Sequence, residues 1–369
     1  MKAPRRPYVY ALDWLRAITI LGVVAVHGVR LSLQHVDPAP EGAIQMLLQF
    51  GREGFMVMTG FVLTYQYASG RSNWFTFWKR RYQNVVFPYL LWVLVFLVLE
   101  VGVNPAGGLL GNYISAVETG NGHLYYLLIT MQMYLVTPLM IWLVRRLSAY
   151  GWVLVAGSVL LEFMLWSLPA YQNGPSILDA LGLWTYVGFY ILGGAIGYHW
   201  SSIEGWVREH RRGFVAAWAL AAIGTVPIYL AMDAGQGVVS ATNVFQPVSV
   251  VYTLAAVACI LALGTWYADW RVRGGRLATL VFLLSEYSFA MYLVHPMFLD
   301  AWLWLTARLA LNPWFNTVLV VVIGWAASLA ASVLLRRLPG SPYIIGMSRA
   351  AHALPRPSAA KPVALRSTS

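Results

Sequence analysis

Apolar residues run along this chain in blocks of about twenty, separated by short polar joints, and a helix of that length matches the hydrocarbon core of a bilayer. Ten blocks can be counted, at roughly 9–33, 44–68, 84–103, 123–146, 150–169, 180–200, 213–232, 246–266, 279–303 and 314–336. Alternation with the period of a strand is absent, which argues against a membrane barrel. The pattern predicts an all-α polytopic membrane helix bundle of about ten transmembrane helices. Its first block follows MKAPRRPYVY, a basic start like that of a signal peptide, yet about 25 residues without a small-residue cleavage site predict a retained helix.

Composition agrees, with 59% of residues hydrophobic, 11% charged and a mean hydropathy of +0.63. The formal charge of +11 matters through its placement. Cations gather in alternate joints: Lys2, Arg5 and Arg6; Arg71, Lys79, Arg80 and Arg81; Arg145 and Arg146; Arg208, Arg211 and Arg212; Arg271, Arg273 and Arg276; then the chain from Arg336 onward. Only Arg16, Arg30, Arg52 and Arg308 stand apart, while Asp37, Glu41, Glu118 and Asp233 occupy the opposite loops. This is the positive-inside distribution of a chain with both termini cytoplasmic, and it points to membrane lipids as partner and away from nucleic acid. Cys259 is a lone thiol within a block, with no partner for a disulfide and no accompanying cluster of metal ligands. The final AHALPRPSAAKPVALRSTS has no apolar period, so the expected organisation is a membrane domain over 1–340 and a disordered cytoplasmic tail over 341–369.

Ionisable residues inside such blocks are costly and call for partners or a task. LDWLRAITILGVVAVHG, residues 12–28, holds Asp13, Arg16 and His27. Arg16 and His27 fall about 20° apart on one helical face and about 16 Å apart along the axis. Asp13 precedes Arg16 by three and is expected to form a structural ion pair with it. Nothing on this helix satisfies His27, which makes it the candidate proton acceptor, whereas Arg16 keeps its charge and suits an anion. In FGREGFMVMTGFVLTYQY, Arg52 and Glu53 are adjacent and are expected to pair with other helices or with a ligand; Gly54 and Gly60 permit close packing. RSNWFTFWKRRYQNVVFP sets Lys79, Arg80 and Arg81 behind an aromatic belt, and reads either as a topology signal or as an entrance for a cytoplasmic polyanion. GNGHLYYLLITMQMYLVTPLM adds His123 at a membrane boundary and Gln132 along a span. LLSEYSFAMYLVHPMF adds Ser288, Tyr292 and His295, spaced to share one face.

Taken in order, LDWLRAITILGVVAVHG, FMVMTGFVL, FWKRRYQNVVFPY, HLYYLLITMQMYLVTP and EYSFAMYLVHP resemble the integral-membrane acyltransferase 3 family of bacterial cell-surface O-acyltransferases, over about residues 9–336. The most specific element is an arginine and a histidine separated by ten residues in the first span, here Arg16 and His27. The resemblance implies a multi-pass protein of the bacterial plasma membrane. It implies transfer of an acyl group, often acetyl, from cytoplasmic acyl-CoA as donor substrate to a hydroxyl of a surface glycan or lipid-linked glycan, with no tightly bound cofactor. Arg16 and His27 become essential residues by this resemblance, and Arg80 and Arg81 join Arg16 in holding the donor. Asn84 stands where the family commonly has a further basic residue. Glu53 is expected to orient the His27 tautomer, and Arg52, His123, Gln132, Tyr292 and His295 are expected around the acceptor pocket. A transporter or flippase is the rival class, although the repeats and paired broken helices common in carriers are not visible.

Overall fold

In a computed structural model of the chain, residues 6–33, 36–68, 70, 73–101, 108–172 and 182–348 are described. They form α-helices linked by short 3₁₀ turns, with no strand among the described residues. In chain order the helices are α1 (Ala11–Leu33), α2 (Pro38–Leu48), α3 (Gly51–Tyr67), α4 (Trp74–Val101), α5 (Leu109–Thr119), α6 (Tyr125–Arg146), α7 (Gly151–Trp166), α8 (Pro169–Gln172), α9 (Val187–Glu209), α10 (Arg211–Gln236), α11 (Val238–Ala241), α12 (Pro247–Trp270), α13 (Arg276–Thr306), α14 (Pro313–Arg337) and α15 (Ser341–Ile345). Proline at the first helical turn, where its missing N–H costs nothing, starts α2, α12 and α14. The side chain of Asn312 also caps α14 by accepting from Phe315 N at 3.2 Å.

Eight helical stretches among the described residues, those built on α1, α4, α6, α7, α10, α12, α13 and α14, are long and apolar enough to cross a bilayer. The other two expected spans are present as α3 and α9 but do not meet that standard. The block at 44–68 is broken at Gln49–Phe50, so its first part belongs to the separate helix α2 and α3 keeps only 17 residues. That is about 26 Å of helix, short of a hydrocarbon core of about 30 Å. Within α9 the final turns, SSIEGWVRE, are polar.

These two helices lie against each other backbone to backbone. A Cβ built on Gly60 of α3 would stand 2.0 Å from Tyr190 O, and on α9 one built on Gly193 would stand 1.9 Å from Val57 O and one on Gly197 2.4 Å from Phe61 O. Apolar surface gains little by association in lipid, so close approach through small residues supplies the packing. On the other side of the bundle α1 is the central post, in contact with α2, α3, α12, α13 and α14.

The alternate basic joints come together at one end. Arg271 lies over the ring of Tyr10 at 3.8 Å, and Arg211 and Arg208 both pair with Asp269, the former at 2.6 Å. Near the other terminus Arg336 binds Glu286 at 2.9 Å and the Tyr287 hydroxyl at 3.1 Å. By the positive-inside rule this is the cytoplasmic end.

Two boundaries differ from the expectation. The aromatic and basic run before the third block is not a joint but the first turns of α4, which is one continuous helix of 28 residues with Pro88 inside it. The tail does not start at 341. Ile345 is buried, Trp92 Nε1 donates to Ile344 O at 2.9 Å, and Arg336 Nε donates to Ser348 O at 3.1 Å, so α15 is packed against α4 and α14. Residues 349–369 lie outside the described residues.

Candidate active site

A cavity of about 770 Å³ opens among the ends of α1, α3, α4, α6 and α13 opposite the basic face, and His27, Arg30, Arg52, His123, Tyr126 and Tyr292 are in its wall. Arg30 follows His27 by three and therefore shares its face. The N-terminus of α3 is pressed onto α1 because Gly51 has no side chain there; a Cβ would stand 2.6 Å from Val23 Cγ2. This contact brings Arg52, in the first turn of α3, to the cavity reached by His27.

His123 enters by a different device. Gly120 and Gly122 have φ of +69° and +53°, left-handed values that favour glycine. They fold the chain tightly before α6; a Cβ on Gly120 would meet Tyr125 Cα at 2.3 Å. The turn sets the His123 ring between Phe96, at 5.1 Å and 87°, and Tyr292, at 5.2 Å and 61°. Tyr292 also donates its hydroxyl hydrogen to the carbonyl oxygen of His123.

Three imidazoles thus converge. The ring of His295 is 5.1 Å from that of His27 and 5.1 Å from that of His123, measured between centroids. His295 is fully buried behind the cavity wall. Its Nδ1 lies 2.8 Å from Tyr292 O, while Nε2 of His295 and Nε2 of His123 have no hydrogen-bond partner among the described residues. His27 is only half-buried, and no hydrogen bond ties its imidazole to another described residue.

Arg52 is held in place from several sides. Its Nη1 donates to the hydroxyls of Tyr125 at 2.9 Å and Tyr186 at 3.3 Å, and its guanidinium lies over the Tyr186 ring at 5.9 Å. Its Nη2 is 3.5 Å from Glu53 Oε1. The expected partners on other elements are thus found for Arg52, in Tyr125 and Tyr186, while Glu53 is in addition close to its own neighbour. Glu53 itself is buried and makes no hydrogen bond to His27. With Arg52 facing the cavity, its neighbour is turned about 100° away, so the proposed orienting role toward His27 falls. What Glu53 supplies is a counter-charge to Arg52.

The other expected residues lie elsewhere. Asp13 does not form the ion pair with Arg16; its Oδ1 accepts from the Tyr8 hydroxyl at 2.6 Å and from Ser285 Oγ at 3.0 Å. The carboxylate is taken up instead by one hydroxyl from the segment before α1, Tyr8, and one from α13, Ser285. Arg16 is partly buried in the half of α1 toward the basic end and is not in the cavity wall. Arg80 is exposed on the first turns of α4, and the Arg81 guanidinium lies 5.9 Å and 5.8 Å from the rings of Phe77 and Tyr134. Gln132 is on α6 outside the cavity wall. Tyr125, Tyr126 and Tyr186, none of them marked by the sequence pattern as candidates, surround Arg52. The first two were within reach, since they stand two and three residues after His123 in HLYY, whereas Tyr186 lies in a 3₁₀ turn with no motif to mark it.

A bundle of long apolar helices, with a cavity walled in part by imidazoles, the guanidiniums of Arg30 and Arg52 and phenols, is that of a multi-pass membrane protein. The acyltransferase 3 family model, described as an acyltransferase domain, matches residues 9–337, and the chain belongs to that family. It is a membrane acyltransferase. No curated protein and no solved structure matches the chain.

Proposed function

We propose that this protein transfers an acyl group, acetyl in the first instance, from cytoplasmic acyl-CoA to a hydroxyl of an extracytoplasmic glycan or lipid-linked glycan at the bacterial plasma membrane. The observation that carries the reading is His27, an imidazole with an uncommitted edge on the wall of a mainly apolar cavity remote from the basic face. Aromatic rings such as Tyr126 and Phe55, with the amides of Gln45 and Gln49, give that cavity the mixture of flat apolar faces and hydrogen-bonding groups that suits a sugar.

In the reaction, His27 takes the proton of the acceptor hydroxyl while the oxygen attacks the thioester carbonyl. Arg52 presents positive charge to the oxyanion that develops on that carbonyl. The C–S bond then breaks, and the imidazolium returns its proton to the departing thiolate. The same free edge would also serve a route in which the imidazole is acylated first, which ping-pong kinetics would reveal.

Purified protein in proteoliposomes, given acetyl-CoA labelled in its acetyl group on one side and envelope glycan extract on the other, is expected to place the label on glycan. Movement of unmodified glycan without label transfer would overturn the reading in favour of a carrier.

On the donor side, Arg16, Arg80 and Arg81 are the groups proposed to meet the phosphates of CoA. Changing Arg80 and Arg81 together to alanine is expected to raise the apparent KM for acetyl-CoA about tenfold with kcat little changed, the loss of one or two charge-assisted contacts. An altered membrane orientation with an unchanged KM would reduce the cluster to a topology signal.

A further inference from the structure

The structure assigns a role to His295 that rests on the acyl-transfer reading for its catalytic consequence but not for its geometry. We propose that His295 is a positioning residue for His27: its Nε2 accepts the N–H of His27 and so holds His27 in the tautomer whose other nitrogen faces the cavity.

Pro296 lies inside α13 and has no N–H, so the carbonyl of Tyr292, four residues earlier, loses its normal helical partner. That carbonyl is the group 2.8 Å from His295 Nδ1. A carbonyl oxygen can only accept, so Nδ1 carries the hydrogen and Nε2 of neutral His295 carries the lone pair. The sequence His-Pro therefore fixes the histidine tautomer through the backbone gap that the proline creates.

The lone pair is left in an unusual position. His295 is fully buried, and its Nε2 has no hydrogen-bond partner among the described residues. A buried acceptor without a donor is destabilising, which makes such an atom informative. The His27 ring is one candidate donor at a centroid distance of 5.1 Å, tilted by 48°. Nitrogens of two imidazoles at that separation come within hydrogen-bond range when they face each other, and His27 is free to turn because no other bond restrains it. His123, also at 5.1 Å and with its own Nε2 unpartnered, is the competing neighbour, but its ring is held between Phe96 and Tyr292 and has less room to turn. The His27 ring, by contrast, packs against no described ring other than that of His295.

During transfer His295 gains and loses no proton. It remains an acceptor while His27 takes the hydroxyl proton and returns it to the thiolate, and it steadies the imidazolium in between. The arrangement needs a group that accepts from His27 without competing for the cavity side, and a tautomer-locked, buried imidazole meets both conditions.

Three variants test this in the full-length protein. His295→Phe keeps a flat ring and removes the acceptor; His295→Leu serves where the phenylalanine form does not reach the membrane; His295→Gln restores an acceptor oxygen near the Nε2 position. Solid-state nitrogen NMR of histidine-labelled proteoliposomes, with the His27 signals assigned by their loss in His27→Ala, reads the tautomer directly. One His27 tautomer is expected in the wild type and in His295→Gln, and a mixture in His295→Phe or His295→Leu. Glycan acetylation at equal protein level is expected to fall about 10–100-fold in the variants without an acceptor, with the acetyl-CoA KM unchanged, and to recover in large part in His295→Gln. A single, unchanged His27 tautomer in His295→Phe or His295→Leu would overturn the inference even if acyl transfer were confirmed. Absence of transfer by the wild type, with the tautomer still responding to position 295, would instead defeat the acyl-transfer reading alone.

Discussion

Replacing His27 with alanine is expected to lower acyl transfer by about 10³–10⁴-fold, the upper range of what one positioned acid–base group contributes. The protein should nevertheless accumulate in the membrane at the wild-type level and still bind acetyl-CoA. The reason lies in how little structure depends on this side chain. No hydrogen bond joins its imidazole to another described residue, and it faces a cavity and not a packed core. Truncating it enlarges an existing cavity and takes away only the donor assigned to His295 Nε2, so the change in stability should stay within about 1–3 kcal/mol. Mass spectrometry of envelope glycans from cells carrying either form supplies the measurement, and the missing mass identifies the acyl group. Normal turnover by His27→Ala would end its assignment as the base.

The second large effect concerns the fold and is expected from a single methyl group. Gly193→Ala should fail to give a monodisperse bundle, or should lower its stability by about 3 kcal/mol or more, because overpacking against rigid neighbours is costly. The added Cβ would stand 1.9 Å from Val57 O and 2.7 Å from Val57 Cα, and both belong to backbone that cannot rotate aside. Separation of α3 from α9 is the only relief, and it would displace Arg52, which Tyr186 in the turn before α9 helps to hold. Gly205→Ala, also on α9 but with nothing within 4 Å of the added atom, is the matched control and should be neutral or slightly stabilising. Thermal unfolding in detergent compares the two. Equal midpoints would show that the helices yield more readily than their contact suggests.

Much of the candidate site could be named without coordinates, because an ionisable residue in an apolar block is conspicuous. His27, Arg52, His123, Tyr292 and His295 were singled out in this way, from four separate blocks, and the bundle brings them to one cavity and its rear wall. Gln132 stood out equally and lies outside the cavity wall. Conspicuousness reports the cost of burial and not its destination. Pairings between neighbours were the least legible feature. Spacing suggests Asp13 with Arg16, whereas Asp13 takes Tyr8 and Ser285; it separates Arg52 from Glu53, and Arg52 does take Tyr125 and Tyr186 but also lies beside Glu53. Helical periodicity locates the Cα of each residue, but a long side chain takes the partner that another element offers.

The sequence by itself determined the class of this protein and the end of the bundle at which its cations are expected. Both follow from one-dimensional quantities: the length of each apolar block against the bilayer, and the sign of charge in each joint. Tertiary structure alone decided that α3 is a short helix after a break, that α4 runs unbroken through the basic cluster, and that the chain past 340 folds back onto the bundle. It alone decided that three histidines meet, with a proline-freed carbonyl fixing the tautomer of one of them. The physical reason is common to all of these. Hydropathy is a property of a segment against its solvent, whereas contact between helices depends on glycine-sized gaps, turns of unusual backbone conformation and the direction in which each side chain leaves its helix.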